Sequence, residues 1–409
     1  MSKPCAPNKR ALRVTHLITR LVIGGAQENT LSTIRGLIMR PDLRVNLVAG
    51  PAIGPEGSLA GTADSLYTDG GPGSLVEPPL IIPELVRPVH PWKDWVALRK
   101  LVQVLRRQQP DIVHTHSGKA GILGRMAAQK AGVPIIIHHI HGPSFGPFQG
   151  RVANLIFTAA EQYAGRMTHH FFCSAAAMTQ LYLEAGIGRP EQYTRIFSGF
   201  DLVPFLHARN DLALRRQLGL EASHFVIGKV ARIFHLKGHA DLLRAFARIK
   251  HEVPQARLLL VGDGVLRAEM EQLARALGIR DQVVFTGLVP PTDVARYVGI
   301  MDCLAHLSYR EALSRALPQA LAAGKPVVAY DFDGADEVCL ENQTGFLVKT
   351  GDIESASRQL IRLAQAPALR TEFGRCGREF VRQNFAIEKM VSDQYAVYQK
   401  LAATRGLPA

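Results

Sequence analysis

Apolar residues in this chain follow two alternating patterns. Short apolar runs are separated by longer segments in which apolar residues recur every three or four positions, as at Leu31, Ile34 and Leu37. The short runs lie at residues 12–17, 111–116, 134–140, 171–174, 225–232, 258–261, 283–285, 303–307, 326–330 and 345–348. Strands that alternate with helices pair in parallel, so both halves of the chain predict an α/β fold with doubly wound parallel sheets.

A polar and charged stretch separates these patterns into two domains. The length of 409 residues already favours two domains over one, and residues 202–224 interrupt the alternation near its middle. We therefore predict an N-terminal Rossmann-like domain at residues 1–203 and a second one at residues 204–385. A C-terminal helix is expected at residues 386–409.

The composition is typical of a globular cytoplasmic protein. Hydrophobic residues make up 47% of the chain and charged residues 20%. Apolar runs stay shorter than the roughly 18 residues that cross a bilayer, and residues 1–10 lack the apolar core of a signal peptide. The five cysteines are scattered without a CxxC pair, which favours reduced, structural thiols.

The formal net charge of +13 predicts an anionic partner, unless it serves only as a solvated basic surface. No basic run interleaved with aromatic residues and no zinc-finger motif is present, so nucleic acid is not expected. Phosphorylated substrates and anionic lipid remain. The segment from Trp92 to Arg107 predicts an amphipathic helix that could touch a membrane surface. We favour a different interpretation of this helix. Trp95, Leu98, Val102 and Leu105 face the core, and the basic residues lie on the opposite, solvated face.

The most informative stretch is residues 303–330. Its first apolar run predicts a buried strand, and Glu311 follows the end of that strand. An alanine- and leucine-rich segment that ends at Ala323 predicts a helix beginning after Glu311, and residues 326–330 predict the next strand. Ligands of open α/β sheets bind at the carboxyl ends of strands. A helix N-terminus beside a carboxylate suits a ligand that has both phosphate and sugar hydroxyls.

Two other loops also suit a phosphorylated ligand. Gly24 and Gly25 lie between the first strand and its helix, where glycines let the backbone approach a phosphate or sugar closely. Arg232 and Lys237 lie at the end of the strand at residues 225–232. Two cations together can neutralise a diphosphate and can do the work that Mg²⁺ does elsewhere.

Histidines mark the ends of two consecutive predicted strands. His114 and His116 end one strand, and His138, His139 and His141 end the next. A parallel sheet places its site at such ends. Metal binding is possible by residue type but is not favoured, because the spacing lacks HExxH or a cysteine partner.

Several motifs together resemble a known family. They are Gly24-Gly25-Ala26-Gln27, His114-Thr115-His116, His141-Gly142, Arg232 to Lys237 with Gly238, Gly262-Asp263-Gly264, Phe285-Thr286-Gly287 and Glu311 to Gly324. Their order and spacing resemble the retaining glycosyltransferases of family 4 (group 1), in particular bacterial members that build exopolysaccharide or lipid-linked glycans. The resemblance runs from Gly24 to about Leu401. It implies the GT-B fold, in which two Rossmann-like domains face a cleft and the last helix crosses back to the N-terminal domain.

The resemblance also implies an activity. A sugar would pass from a nucleotide-diphosphate sugar to a glycan or polyprenyl-diphosphate-linked acceptor, with retention of configuration and without a cofactor or metal. Such enzymes act at the inner face of the plasma membrane, where a basic surface would attach them peripherally. The implied catalytic residues are His116, Glu311 and His141. The implied donor-binding residues are Gly24, Gly25, Arg232, Lys237, Gly262, Asp263, Ala312, Leu313 and Gln319.

Gln319 departs from the family pattern. The family has a second glutamate at this position, which accepts hydrogen bonds from the ribose of the donor. The amide favours one alternative function, that of a relative that binds nucleotide sugars but has lost turnover. A second alternative is a nucleotide-sugar epimerase, which is less favoured because such enzymes lack the combination of Gly24-Gly25 with Arg232 and Lys237.

Overall fold

The chain forms two compact units in a computed structural model that describes residues 10–54, 57–68, 75–116, 118–146 and 148–407. Unit 1 takes in the residues up to Phe200 and those from Ile387 onward, and unit 2 is Asp201–Ala386. The chain thus passes between the units at 200–201 and 386–387, compared with the boundaries after 203 and 385 expected from the sequence.

Unit 1 is built on a parallel sheet, as the alternating pattern predicts. Its strands are β1 (Leu12–Ile18), β2 (Leu43–Ala49), β3 (Leu80–Ile81), β4 (Ile112–His116), β5 (Ile135–Ile140), β6 (His170–Cys173) and β7 (Tyr193–Arg195). Its helices, in chain order, are α1 (Gly25–Leu37), α2 (Ala60–Thr68), α3 (Pro91–Gln108), α4 (Gly118–Ala131), α5 (Arg151–Gly165) and α6 (Ala176–Glu184). In the described part of unit 1, the strand order is β3-β2-β1-β4-β5-β6-β7, and every pairing is parallel.

Unit 2 repeats this architecture. Its strands are β8 (Phe225–Val230), β9 (Ala256–Val261), β10 (Val283–Phe285), β11 (Cys303–His306), β12 (Val327–Asp331) and β13 (Gly345–Lys349). Its helices are α7 (Val203–Leu206), α8 (Leu212–Gln217), α9 (His239–Glu252), α10 (Arg267–Ala276), α11 (Val294–Gly299), α12 (Ala316–Ala322), α13 (Ile353–Gln365) and α14 (Pro367–Asn384). The order β10-β9-β8-β11-β12-β13 is again wholly parallel, which confirms the predicted fold class.

The last helix, α15 (Ile387–Thr404), belongs to unit 1. Asn29 of α1 donates a hydrogen bond to the sulfur of Met390 at 3.0 Å, and Gln394 donates to Thr33 at 3.2 Å. Tyr398 is fully buried and packs in the same core as β1 and α1. The helix therefore covers one face of the first sheet.

The buried face of α3 differs from the predicted stripe. Ala97, Leu101 and Leu105 are buried, whereas Trp95 is 47% exposed and Trp92 is 66% exposed. The prediction that Trp95 faces the core is therefore wrong. Small Ala97, not the bulky tryptophan, fits where α3 packs against α4, and both indole rings stay at the surface, stacked on each other. Within the described residues, no helix combines the length and the apolar character needed to cross a bilayer.

The helix after Glu311 is shorter than predicted. It begins at Ala316, five residues after Glu311, and ends at Ala322. Pro318 accounts for this late start. Proline has no backbone N–H and is tolerated only in the first turn of a helix, and here it is the third residue of α12. Residues 312–315 consequently form a loop between Glu311 and the helix.

Candidate active site

The predicted donor-binding cations of unit 2 lie where the strand order of its sheet reverses. β8 pairs with β9 on one side and with β11 on the other, and the order changes direction between β8 and β11. Arg232 follows the end of β8, and Glu311 follows the end of β11. Ligands of open α/β sheets bind at such a switch point, beyond the carboxyl ends of the strands.

The loops after β8 and β11 are held together by backbone contacts. The N–H of Tyr309 and the hydroxyl of Ser308 both donate to the carbonyl oxygen of Leu236, at 2.8 and 3.1 Å. Gly238 approaches so closely that a Cβ on it would lie 1.5 Å from the carbonyl oxygen of Leu307, and its φ is +66°. Only glycine fits this position. The two loops are thus fixed side by side, with Lys237 between Leu236 and Gly238.

Lys237 forms an ion pair with Glu311 through Nζ and Oε1. On the other side of the carboxylate, His306 Nε2 lies 3.4 Å from Oε2. Burial would raise the pKa of Glu311, but His306 and Lys237 outweigh this effect and lower the pKa below its ordinary value. Glu311 is therefore ionised at neutral pH and can accept hydrogen bonds from ligand hydroxyls.

Asp333 fixes the backbone at Glu311. The N–H of Glu311 donates to Asp333 Oδ2 at 2.9 Å. Burial raises the pKa of Asp333 to about 6. A small cavity opens beside the carboxylate of Glu311, and residues at and after the ends of β11 and β12 line it. The lining residues are His306, Ser308, Glu311, Ser314, Leu317, Tyr330, Phe332 and Ala335.

The other donor-binding residues expected in unit 2 lie around these loops. Arg232 is exposed, with its guanidinium 4.7 Å from the ring centre of Phe234. Gly262 directly follows β9, and its N–H donates to the carbonyl oxygen of Gly287 at 3.1 Å. A Cβ at Gly262 would lie 2.3 Å from the carbonyl oxygen of Ala231, so this glycine lets the ends of β8 and β9 meet.

Asp263 lies at the surface, whereas the predicted donor-binding residues in and before α12 are partly or fully buried. Asp263 is exposed and its Oδ1 accepts a hydrogen bond from the N–H of Gly264 at 2.8 Å. Ala312 is buried and Leu313 partly buried in the loop that precedes α12. Gln319 lies on α12 itself and is partly buried. The roles of these residues toward a donor stay predictions.

Unit 1 has the same kind of switch point between β1 and β4. Gly24 and Gly25 follow β1, and α1 begins at Gly25, with its first residues partly or fully exposed. A helix N-terminus offers N–H groups and a positive dipole end to an anion. His116 is the last residue of β4, the strand beside β1.

Histidines from three strands meet on one face of this sheet. His16 of β1 pairs in register with His114 of β4, and His116 of β4 pairs with His139 of β5. Alternate residues of a strand face the same side, so His141 follows His139 on this face. Their rings stack, with 4.0 Å between the centres.

His116 is hydrogen-bonded on both ring nitrogens. Its Nε2 lies 2.9 Å from His16 Nδ1, and its Nδ1 lies 3.0 Å from His141 Nε2. His16 and His116 are fully buried, whereas His141 is partly exposed. Burial lowers the pKa of His16 and of His141 to about 3, and lowers that of His116 well below its ordinary value. All three rings are neutral at pH 7, and His141 is the member that faces solvent.

Sequence patterns missed several residues of these sites, among them His16 and Lys229. His16 lies in an apolar run without a motif, and only the register of β1 against β4 brings it to His116. Lys229 lies inside β8, where its side chain is fully buried, and its Nζ has no hydrogen-bond partner among the described residues. A lysine within a predicted buried strand was a signal that could have drawn attention to it.

Comparison with known proteins gives the family. Residues 24–198 match the glycosyl transferase 4-like domain, and residues 210–380 match the glycosyl transferases group 1. The chain is 27% identical over 314 residues to an Escherichia coli UDP-Gal:α-D-GlcNAc-diphosphoundecaprenol α-1,3-galactosyltransferase, covering 76% of this chain and 80% of that protein. It is 28% identical over 313 residues to the N-acetyl-α-D-glucosaminyl L-malate synthase of Bacillus anthracis, with the same coverage of 76% and 80%.

A solved structure gives the fold. The crystal structure of Anabaena HepE in complex with UDP matches 95% of this chain and 100% of its own, with a TM-score of 0.79 and 22% identity. Together with the two parallel sheets, this likeness establishes the GT-B fold. With both of its halves matched by glycosyl transferase models, the chain belongs to the group 1 glycosyltransferases.

Proposed function

We propose that this glycosyltransferase moves a sugar from a nucleotide-diphosphate sugar to a glycan or polyprenyl-diphosphate-linked acceptor with retention of configuration. The observation that carries the proposal is the ion pair between Lys237 and Glu311 at the switch point of unit 2, with Arg232 in the same loop as Lys237. It joins cations suited to a diphosphate with a carboxylate suited to sugar hydroxyls. The names of relatives that use UDP-galactose or bind UDP make UDP-sugars the first donors to test.

Donor binding would rearrange this ion pair. A diphosphate competes with Glu311 for Lys237, and Arg232 adds a second cation. Once Lys237 turns to the phosphates, Oε1 of Glu311 becomes available to the donor sugar, while His306 stays beside Oε2. The two cations also stabilise the negative charge on the leaving nucleotide, so the transfer needs no metal ion.

The reaction would proceed through an oxocarbenium-like state, with the acceptor attacking from the face that the nucleotide leaves. No side-chain nucleophile is then required. In unit 1, His141 is the histidine suited to contact a sugar or acceptor hydroxyl, because it is partly exposed and neutral. His116, with both nitrogens bonded to histidines, would hold the His141 ring in place and act behind it.

A lipid-linked acceptor would bring the protein to the inner face of the plasma membrane. The net charge of +13 and the exposed Trp92 and Trp95 on α3 suit an anionic surface. Helix α5 adds an exposed apolar face, since Val152, Leu155 and Ile156 are between 59% and 73% exposed. Peripheral attachment through unit 1 is therefore part of the proposal.

The second candidate is a relative that binds donors without turnover, and Gln319 is the residue that favours it. A thermal-shift screen of nucleotide sugars identifies a donor, because a ligand that binds only the folded state raises the melting temperature. Release of nucleotide is then measured with polyprenyl-diphosphate glycan acceptors, and NMR gives the anomeric configuration of the product.

Glu311→Gln decides between the two candidates when compared with Glu354→Gln, a control on an exposed glutamate of α13. We expect product from the wild type and the control but not from Glu311→Gln. If a donor binds but no acceptor is glycosylated, and Gln319→Glu starts turnover, the inactive relative is the better description. An inverted product would refute retention.

A further inference from the structure

A second feature of the histidine cluster is not used by the proposed transfer reaction. His116, His139 and His141 each offer a ring nitrogen, and the three nitrogens lie within 4.8 Å of one another. They come from β4, from β5 and from the residue after β5. Because His116 lies far from the other two histidines in the sequence, no short spacing motif predicts this group.

His139 is the member that hydrogen bonding leaves unexplained. Its ring is fully buried, and neither Nδ1 nor Nε2 has a partner among the described residues. A buried polar group without a partner destabilises the folded state, and such groups in native proteins call for an explanation such as a bound ion. The ring of His141 stacks on His139 and the ring of Phe172 packs edge-on, but neither forms a hydrogen bond with these nitrogens.

We propose that His116, His139 and His141 form a binding site for a divalent transition-metal ion of the Zn²⁺ type. Neutral imidazole nitrogens suit Zn²⁺, Cu²⁺, Ni²⁺ and Co²⁺, whereas Mg²⁺ and Ca²⁺ require oxygen ligands. Three nitrogens each about 2.0–2.1 Å from a tetrahedral ion lie about 3.3 Å apart. The Nδ1 of His116 and the Nε2 of His141 are 3.0 Å apart, close to this value. The nitrogen of His139 lies within 4.8 Å of the other ligand nitrogens, and rotation of its stacked ring would bring it to the ion.

The surroundings favour this group over the other histidine triad. His16, His114 and His116 also bring nitrogens within 4.8 Å, but all three are fully buried. Partly exposed His141 instead leaves a route for the ion and a fourth coordination position toward solvent. His16, which bonds to the other nitrogen of His116, is placed to orient that ligand from behind, as outer-shell partners of metal-bound histidines do.

The site binds metal whether or not the chain transfers sugar, and only its effect on activity rests on the proposed function. An ion held here takes His141 away from a sugar or acceptor hydroxyl and takes away the support that His116 gives it. Zn²⁺ would then inhibit transfer, and removing it would restore the activity. The binding test below needs no donor, acceptor or turnover, so its failure and the failure of the proposed function are distinguishable.

The test uses the untagged full chain, freed of metal by a chelator and titrated with Co²⁺. We expect one equivalent of Co²⁺ with the intense visible absorption of a tetrahedral site, displaced by Zn²⁺. His139→Phe keeps a planar ring in the stack but removes both nitrogens. It should weaken Co²⁺ binding by more than the roughly 10- to 100-fold that loss of an outer-shell partner costs.

His138→Phe is the matched control. His138 precedes His139 on β5, faces the other side of the sheet and bonds to Thr115 Oγ1 at 2.9 Å. It should retain the Co²⁺ spectrum, and Zn²⁺ should raise the melting temperature of the wild type and this control but not of His139→Phe. If His139→Phe does not fold, His141→Asn serves as the ligand variant. Absence of stoichiometric binding in the wild type, or unchanged affinity in the ligand variant, would overturn the proposal.

Discussion

Lys237 and Glu311, which lie 74 residues apart in the sequence, form an ion pair at the switch point of the second sheet. Each side chain is less than a quarter exposed. The lysine expected to bind phosphate and the glutamate expected to bind sugar therefore neutralise each other in the free protein. In the proposed reaction a donor separates them, and its diphosphate replaces the carboxylate as the partner of Lys237.

Removal of either cation should weaken nucleotide binding. We expect Lys237→Ala and Arg232→Ala each to reduce the affinity for the nucleoside diphosphate by about 10- to 150-fold, because a hydrogen bond to a charged group is worth roughly 1.5–3 kcal/mol. Calorimetry on each variant measures this loss. Lys250→Ala is the control, since its Nζ bonds the carbonyl oxygen of Gly278. Unchanged affinity in both site variants would rule out this location for the diphosphate.

Gln319 should affect donor affinity more than catalysis. A carboxylate has two acceptor oxygens, whereas an amide has one acceptor oxygen and two N–H donors. Gln319 can thus keep a ribose contact without the negative charge, which costs about 1 kcal/mol, or roughly five- to tenfold in affinity. We expect Gln319→Glu to tighten donor binding by up to this factor or to leave it nearly unchanged, with turnover similar to wild type. Titration of donor against both proteins checks it, and a weaker donor complex in the variant would contradict it.

The strands of both sheets could largely be predicted because their apolar runs are short and end at polar residues or glycines. β2 was not predicted, since Arg44 and Asn46 interrupt its run, and α2 has no clear apolar period. The start of α12 depends on Pro318, a single residue inside a strongly helical pattern. The exposed face of α3 depends on which helix packs beside it, and that information is not local.

The candidate sites could likewise be predicted only in part. Arg232, Lys237 and Glu311 follow predicted strands, so their placement at strand ends was accessible from sequence. The pairing of Lys237 with Glu311 was not, because it requires β8 and β11 to be neighbours. The histidine cluster depends similarly on the register of β1, β4 and β5.

Chelation should leave transfer intact. Arg232 and Lys237 supply the positive charge that a diphosphate leaving group needs, so we expect the initial rate in EDTA to equal or exceed the untreated rate. Added Mg²⁺ should then give no further increase. An activity that EDTA abolishes and Mg²⁺ restores would refute the metal-free donor site, and inhibition by Zn²⁺ alone would not.

Membrane attachment should depend on the exposed tryptophans and on anionic lipid. Each basic residue near an anionic surface adds about 1 kcal/mol, and the stacked Trp92 and Trp95 supply apolar contact. We expect the protein to float with anionic vesicles at low salt, and less so at high salt or after Trp92→Ala with Trp95→Ala. Leu288→Ala, at a residue of unit 2 that is 80% exposed, is the control. Equal flotation with neutral and anionic vesicles would indicate that the positive charge forms only a solvated surface.

Lys229 should make the protein less stable at neutral pH than at alkaline pH. Burial lowers its pKa from 10.5 to about 7 in the folded protein. Between these values the unfolded state binds more protons, so the free energy of unfolding rises with pH from about 7 to about 10.5. Below pH 7 the full cost applies, at most about 4–5 kcal/mol for this shift.

Lys229→Met removes the buried amine while keeping a long apolar side chain. We expect it to raise the melting temperature clearly at about pH 6.5 and much less at about pH 9, because deprotonated Lys229 carries little of this cost. Lys250→Met, which alters a lysine at the surface, should change the melting temperature little at either pH. A variant that is destabilised at both pH values would instead indicate that the charge of Lys229 is stabilised in the folded protein, for which Glu311 is the nearby carboxylate.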